Sequence, residues 1–258
     1  MMKVASESKK EEFQGSKFSV DPRWRGFIRL SGILFLISGL GGFVVARLSG
    51  ILYASGQPTT AVGYLQLFSQ HQLLAATDWS LWMIGDFMLI PAAVGMYLVL
   101  RRINNSAALV GTVLSLMYNV FDICVTELNS LALVGLSQGY ASASTDALRA
   151  PYVAAATYGV AALPVQTFFS FTVGAIGWLL WSLVMLKGVF PRWAAVFGVI
   201  ANVMGFLGGV GAMVQGTPYY LLGLFTIFGA LFTAVWFIMI GILLYRYGNR
   251  LAVEAVTS

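Results

Sequence analysis

The chain has 258 residues, of which 59% are hydrophobic and only 10% are charged, and its mean hydropathy is +0.82. Soluble domains carry about 25% charged residues, so these charges cannot cover a globule of this size, and much of its surface is expected to face lipid. Cys124 is the single cysteine, so the chain can form no intrachain disulfide and no zinc or iron–sulfur site built from cysteines. His71 is the single histidine, which excludes a mechanism that needs a pair of histidines. The composition therefore predicts a membrane protein and excludes disordered, collagen-like and disulfide-rich classes.

Residues 1–25 mix charges without an apolar period, which predicts a disordered cytoplasmic tail. This lead is too long for the charged region of a signal peptide, and the apolar run after it is too long for the hydrophobic region of one. The first apolar run is therefore expected to anchor the chain in the membrane.

Six apolar segments are each long enough to cross the hydrocarbon core as a helix, which takes ~20 residues. They are Phe27–Ala46, Ala75–Leu100, Ala107–Leu136, Phe168–Leu186, Trp193–Val214 and Leu221–Tyr245. These segments predict an all-α, polytopic bundle of six transmembrane helices. The transmembrane domain would occupy residues 26–247, with a cytoplasmic C-terminal tail at 248–258.

The positive charges are divided unevenly between the two ends of these segments. With the N-terminus inside, every Lys and Arg except Arg47 and Arg149 lies on the cytoplasmic side. Cytoplasmic loops of membrane proteins are rich in these residues, so both termini are predicted to be cytoplasmic. The same distribution accounts for the net charge of +5 without a nucleic-acid partner.

Two apolar stretches between the spans are too short to cross the membrane. Tyr64–Leu74 has its apolar residues at helical spacing, which predicts a short helix lying at the outer surface. Ala150–Leu163 is followed by Pro164, and it is interpreted either as a second interfacial helix or as a kinked extension of the fourth span.

Small and aromatic residues indicate how the helices pack. Gly205-x-x-x-Gly209 predicts close packing of helices inside the bundle, with a homodimer seam as the alternative. The tryptophans, most of them near the ends of spans, are interpreted as interfacial anchors.

Four acidic residues lie inside the apolar segments, where ionisable groups are costly and mark candidate functional sites. Asp86 precedes the turn between the second and third spans by about as many residues as Asp122 follows it. Two antiparallel helices therefore carry these carboxyls at nearly one depth, well inside the hydrocarbon. The same count of residues places Asp78 and Asn129 at one depth, and it places Glu127 near the outer rim of the membrane.

Polar residues in the third span advance by three or four positions and form one face of the helix. They are Ser115, Asn119, Asp122, Thr126 and Asn129. Because lipid offers no hydrogen-bond partners, this stripe is expected to face the bundle interior, while Glu127 lies off it. In the second span Asp78 and Asp86 share a face, and Pro91 would open space beside Asp86 by kinking the helix.

No basic residue lies at the depth of Asp86 and Asp122. A proton shared between them, or a small cation held with the help of Asn119 and Ser115, would satisfy both carboxyls. The alternative is structural, in which neutral carboxyls donate to backbone carbonyls or to Asn119 and fix the register of the helices.

Near the outer rim, a purely structural role is favoured for the polar residues. Asp78 and Glu127 are expected to pair with Arg47, and Asn129 is the polar neighbour at the same depth. No catalytic residue, resident metal or cofactor is expected anywhere in the chain.

The acidic pair predicts a small bundle that binds or moves a proton, a small cation or a polar solute. An accessory or regulatory subunit of a membrane complex remains open as the alternative, as does an intramembrane enzyme that uses the carboxyls as acid and base. The protein is expected to lie in the lipid bilayer. Whether it forms a homo-oligomer or binds a partner in a membrane complex is left open.

Four stretches of the sequence carry a family resemblance. They are Arg29-Leu-Ser-Gly-Ile-Leu-Phe-Leu-Ile-Ser-Gly, Met96-Tyr-Leu-Val-Leu-Arg-Arg-Ile-Asn, Phe190-Pro-Arg-Trp-Ala-Ala-Val-Phe-Gly and Ala234-Val-Trp-Phe. Over most of residues 27–247 the chain resembles the prokaryotic six-span family catalogued as domain of unknown function 4386. The resemblance implies six spans in a prokaryotic cell membrane, and it implies no activity because the family has none assigned.

Overall fold

A computed structural model describes residues 20–214 and 220–257, and these ranges contain helices and no strand. The helices are α1 (Arg25–Leu52), α2 (Ala61–Gln70), α3 (Gln72–Leu100), α4 (Asn105–Ser142), α5 (Asp146–Met185), α6 (Arg192–Met213) and α7 (Tyr220–Thr257). All of them except the short α2 are long and apolar enough to cross a membrane. The predicted all-α bundle of six spans is therefore confirmed.

The helix α5 is longer than the fourth apolar segment of the sequence. It begins at Asp146, where the side chain of Thr145 accepts a hydrogen bond from the backbone N–H of Leu148, and it continues through Pro164. The stretch Ala150–Leu163 is thus an extension of the fourth span, and its interpretation as a separate interfacial helix is wrong. A proline removes only one backbone donor, so a well-packed membrane helix can run through it.

The structure describes parts of the two predicted tails, and the part of the N-terminal tail that it describes is ordered. Residues 1–19 lie outside the described residues, but Val20 is buried in the bundle and Pro22–Trp24 forms a short turn that leads into α1. At the other end, α7 continues as far as Thr257, so most of the tail assigned to 248–258 prolongs the last helix.

The six long helices form a closed ring. Each packs against the next along the chain, and α7 packs against α1. The Arg29 side chain donates to the hydroxyl of Tyr245 (3.4 Å), so the start of α1 and the end of α7 lie side by side. We call this end of the bundle the terminal face, and its assignment to the cytoplasm stays a prediction from the charge distribution.

Glycines bring neighbouring helices into backbone contact within the ring. A Cβ atom at Gly241 of α7 would lie 2.7 Å from the carbonyl oxygen of Gly32 in α1. A Cβ at Gly229 of α7 would lie 2.8 Å from the backbone nitrogen of Gly205, and Gly209 meets α5. The small residues singled out in the sequence therefore pack helices of the same chain together.

Aromatic side chains fill the interior of the ring toward the terminal face. Phe35, Trp178, Trp181, Trp236 and Phe237 are buried, and their rings contact one another at centroid distances from 5.0 to 6.4 Å. We call these five residues the aromatic core. The interpretation of the tryptophans as interfacial anchors is therefore wrong for three of them, because a ring of six helices leaves a central space that large rings fill.

A second hydrophobic cluster fills the opposite end of the bundle. There α2 packs on the ends of α4 and α5, burying Tyr64, Leu65 and Phe68 against Leu133 and Ala156. Between this cluster and the aromatic core lies the layer that contains the buried acidic residues.

Candidate functional site

A π-helical turn, Asp122–Glu127, interrupts α4 in the middle of the membrane-spanning part. Such turns are rare, often occur at functional sites, and hold about one residue more than an α-helical turn. Asp122 and Glu127 are buried (9% and 1% exposed), whereas Cys124 and Val125 between them are exposed. The wide turn therefore directs two carboxyls, five positions apart, to the inside of the ring.

Asp86 of α3 meets these two carboxyls in the interior. One carboxylate oxygen from each of Asp86, Asp122 and Glu127 lies within 4.8 Å of the other two. We call these three residues the acidic cluster. Asp86 and Asp122 come together as their matched depths indicate, but Glu127, expected at the outer rim, lies in the cluster because the π turn changes the helical period.

Hydrogen bonds hold one oxygen of each aspartate. The Tyr118 hydroxyl donates to Asp86 Oδ1 (3.2 Å), and the Ser170 hydroxyl of α5 donates to Asp122 Oδ1 (2.7 Å). The Tyr118 ring packs nearly perpendicular to that of Trp178 in the aromatic core, with centroids 4.9 Å apart. These contacts fix the orientation of the two aspartates.

Three of the other oxygens of the cluster have no hydrogen-bond partner among the described residues. Asp86 Oδ2 and both Glu127 carboxylate oxygens are buried, and within residues 20–214 and 220–257 none of them has a hydrogen-bond partner. The ion pairs found in that part of the chain, Arg23–Asp21 and Arg149–Asp146, involve none of the three carboxyls. A buried carboxyl without donors or a counterion is costly.

Ser115 and Asn119, expected to help hold a cation, are buried on the same face of α4. The indole N–H of Trp178 donates to the Ser115 hydroxyl (3.0 Å), and the Asn119 amide donates to the Ser115 carbonyl (2.7 Å). Asn119 Oδ1 is buried with no partner among the described residues. Ser115 thus joins α4 to α5, while Asn119 keeps one acceptor available.

Asp78 lies apart from the cluster, about two turns along α3 from Asp86. It is buried, and its two carboxylate oxygens accept from the Ser49 hydroxyl of α1 at 2.8 and 3.0 Å. Arg47, the expected partner of Asp78 and Glu127, is exposed and forms no ion pair in the part of the chain that the structure describes. A serine hydroxyl therefore takes the place that the sequence assigned to the guanidinium group.

Asn129, which the residue count places at the depth of Asp78, forms its hydrogen bonds to α5, whereas Asp78 bonds to α1. Its amide donates to the Gly159 carbonyl (3.1 Å) and to the Gln166 side-chain oxygen (3.2 Å), both in α5. The polar stripe of α4 thus faces α5 well beyond the acidic cluster.

Two tyrosines, Tyr53 and Tyr64, lie at the end of the bundle opposite the terminal face, and Tyr53 lies near Asp78. Burial raises the pKa of Tyr53 above its usual range, and nearby Tyr64 and Asp78 add to the effect. Burial also raises the pKa of Tyr64, although the Gln57 amide donates to its hydroxyl (2.8 Å). Both phenols therefore stay neutral near pH 7.

Tyr118 and Ser170 are the site residues that the sequence did not single out. Tyr118 precedes Asp122 by four positions, a helical spacing that could have indicated a shared face. Ser170 had no such signal, because its role depends on which face of α5 packs against α4.

Replacing Glu127 by Gln is expected to raise the thermal stability of the protein in cation-free, chelator-treated detergent solution. The amide nitrogen can donate to Asp86 or Asp122, and the change removes a buried carboxyl that has no partner. The gain should be about 1 kcal/mol, or roughly 2–4 °C in Tm. Asp78→Asn is the control, and its Tm should not rise because Asp78 is already hydrogen-bonded. A lower Tm for Glu127→Gln would contradict this picture of the cluster.

Comparison with known proteins places the chain in one family. No significant match was found to any curated protein or solved structure. The family model described as a domain of unknown function (DUF4386) matches residues 30–241, from α1 to α7, and this range includes the acidic cluster. The chain therefore belongs to the family of domain of unknown function 4386.

Proposed function

We propose that this multi-pass membrane protein binds a small cation, a proton included, at Asp86, Asp122 and Glu127 and moves it across the membrane. The observation that carries the proposal is the meeting of three buried carboxyls from two helices, with no basic partner in residues 20–214 and 220–257. Carboxyls in such surroundings are stabilised when a proton or a cation binds.

Asp78 provides an internal comparison that favours a binding role over a structural one. A carboxyl that only fixes helix packing needs permanent partners, and Asp78 has them in the Ser49 hydroxyl. The oxygens of Glu127 have no such partner among the described residues, although this side chain is only 1% exposed. The cluster is therefore better suited to a partner that arrives and leaves.

The surroundings of the cluster suit a site that opens to one side at a time. The aromatic core fills the interior between the cluster and the terminal face, so transfer in that direction requires the helices to move. Pro91 in α3, Pro164 in α5 and the π turn of α4 are points where hydrogen bonding along a helix is interrupted, and helices bend at such points. All three helices contribute to the site.

We also propose the cellular setting. The excess of Lys and Arg at the terminal face supports an orientation with both termini on the cytoplasmic side, in the cell membrane of a prokaryote. In this orientation the aromatic core lies on the cytoplasmic side of the acidic cluster.

The test is flux into proteoliposomes that contain the purified full-length chain. An imposed pH gradient or cation gradient should dissipate faster than in empty liposomes, and Asp86→Asn should slow this flux at least ~10-fold, since loss of one charged ligand costs more than 1.4 kcal/mol. Asp146→Asn, at a fully exposed side chain, is the matched control and should leave the flux unchanged. Size-exclusion profiles and Tm values confirm that each variant is folded.

Two outcomes would contradict the proposal. One is flux by the wild-type protein that does not exceed that of empty liposomes. The other is an unchanged rate in a folded Asp86→Asn protein. A wild-type chain that carries no flux but co-purifies with a defined membrane complex would support the accessory-subunit role instead.

A further inference from the structure

The separation of the three carboxyls matches the coordination shell of one metal ion. Divalent cations bind oxygen ligands at about 2.0–2.6 Å, so two ligands of one ion lie at most ~5 Å apart. One oxygen from each of Asp86, Asp122 and Glu127 already lies within 4.8 Å of the other two. An ion could therefore contact all three side chains with only small adjustments.

The atoms around the cluster that could bind a metal ion are oxygens. Besides the carboxylates, the polar groups of the described residues that reach it include the hydroxyls of Tyr118, Thr126 and Ser170. The thiol of Cys124 lies on the exposed side of the π turn, and His71 is exposed at the end of α2. Carboxylate and hydroxyl oxygens suit Mg²⁺, Ca²⁺ and Mn²⁺, whereas softer metals are selected by sulfur and imidazole.

Charge balance favours a divalent ion over a monovalent one. Three ionised carboxylates carry a charge of −3, so a monovalent cation would leave two negative charges in the apolar interior. A divalent cation leaves one, and a proton retained on one carboxyl removes it. Because uncompensated buried charge is costly, a neutral arrangement is favoured. One divalent ion with one retained proton is neutral and leaves two ionised carboxylates as ligands, whereas a monovalent ion is neutralised only when two protons are retained and one ionised carboxylate is left.

We infer that the acidic cluster binds one divalent cation of the oxygen-preferring class, with Asp86, Asp122 and Glu127 each supplying a ligand oxygen. This inference rests on the proposed function and names its cargo. The unpartnered Asp86 Oδ2 and Glu127 oxygens are the free ligand atoms. The Tyr118 and Ser170 hydroxyls hold the other aspartate oxygens, as hydrogen-bonded neighbours of metal ligands do.

The test is binding of Mn²⁺ to the full-length protein in detergent, followed by the loss of the EPR signal of free aqueous Mn²⁺. We expect one Mn²⁺ per chain, displaced by excess Ca²⁺ or Mg²⁺. Glu127→Gln and Asp122→Asn should each weaken binding at least ~10-fold, because each loses a charged ligand. The matched controls are the buried Asp78→Asn and the exposed Asp146→Asn, and both should bind as the wild type does.

The pH dependence provides a second readout. Carboxylate ligands must lose their protons before a metal binds, so Mn²⁺ affinity should fall as the pH is lowered. The titratable groups that face the site are its three carboxyls and Tyr118, while α5 contributes the Ser170 hydroxyl. In Glu127→Gln the remaining affinity should depend less steeply on pH.

The outcomes separate this inference from the proposed function. Absence of Mn²⁺ binding, or equal binding by the wild type and a folded Glu127→Gln protein, overturns the divalent site. If proton flux sensitive to Asp86→Asn persists in that case, the proposed function survives with the proton as its cargo. If the flux is absent as well, both fail. Should Glu127→Gln not fold, Asp122→Asn decides the question by the same criteria.

Discussion

Deleting Cys124 is expected to leave the bundle folded, whereas deleting Val110 from the same helix is expected to prevent folding. Both residues are exposed, so neither deletion removes a buried side chain. They differ in position, because Cys124 lies in the π-helical turn of α4 and Val110 lies in a regular α-helical part. The prediction therefore tests the most unusual feature of the backbone.

The reason is the number of residues per turn. Removing one residue from a regular α-helix rotates everything on one side of the deletion by about 100° relative to the other. The π turn holds about one residue more than an α turn. Removal of Cys124 can therefore convert it to regular helix and leave both flanking parts facing as before. Asp122 and Glu127 would then be four positions apart, which still places them on one face.

Deletion of Val110 has no such compensation near it. The next residue, Gly111, contacts α5 so closely that an added Cβ would lie 2.9 Å from the Gly177 carbonyl oxygen. A rotation at this point would replace glycine by a larger residue at the contact and turn Ser115 and Tyr118 away from the interior. Overpacking and loss of buried hydrogen bonds together should exceed about 3 kcal/mol.

The measurement is size-exclusion chromatography and thermal unfolding of the two tagged deletion variants. The Cys124 deletion should be monodisperse, with a Tm within roughly 2–4 °C of the wild type, equivalent to about 1 kcal/mol. The Val110 deletion should aggregate or fail to accumulate. Equal damage from both deletions would mean that α4 is a regular helix and that Glu127 does not face Asp86.

Local patterns were sufficient to predict the six spans. Long apolar runs need no knowledge of tertiary structure, since any such run is stable only as a membrane-spanning helix. The same patterns could not decide whether Ala150–Leu163 continues the fourth span, because its length suits an interfacial helix equally well. Nor could they show that Trp178 and Trp236 fill the centre of a closed ring, since ring closure is a tertiary property.

The candidate site was predictable only in part. Counting residues from one turn was enough to bring Asp86 level with Asp122, because α3 stays helical through Pro91 and α4 is α-helical from Asn105 to Phe121. Glu127 was placed near the rim by counting residues and off the polar stripe by assuming a constant helical period, and the π turn breaks that period. Without Glu127 the sequence offered only two carboxyls, with Asn119 and Ser115 as the further candidate ligands of a small cation.

The contact between α1 and α7 completes the ring around this site, and Gly241→Leu is expected to disrupt it. A Cβ atom at Gly241 would lie 2.7 Å from both the Gly32 carbonyl oxygen and the Leu36 backbone nitrogen. These are backbone atoms, which cannot rotate aside as a side chain can. The two helices must separate, and the cost should reach about 3 kcal/mol.

Gly41→Leu in α1 is the matched control, because an added Cβ there would meet nothing within 4 Å. This variant should keep the wild-type elution profile and a Tm within roughly 2–4 °C, or about 1 kcal/mol. Gly241→Leu should lose the monodisperse peak or unfold at a markedly lower temperature. A folded Gly241→Leu protein with unchanged Tm would mean that α7 can separate from α1 at little cost.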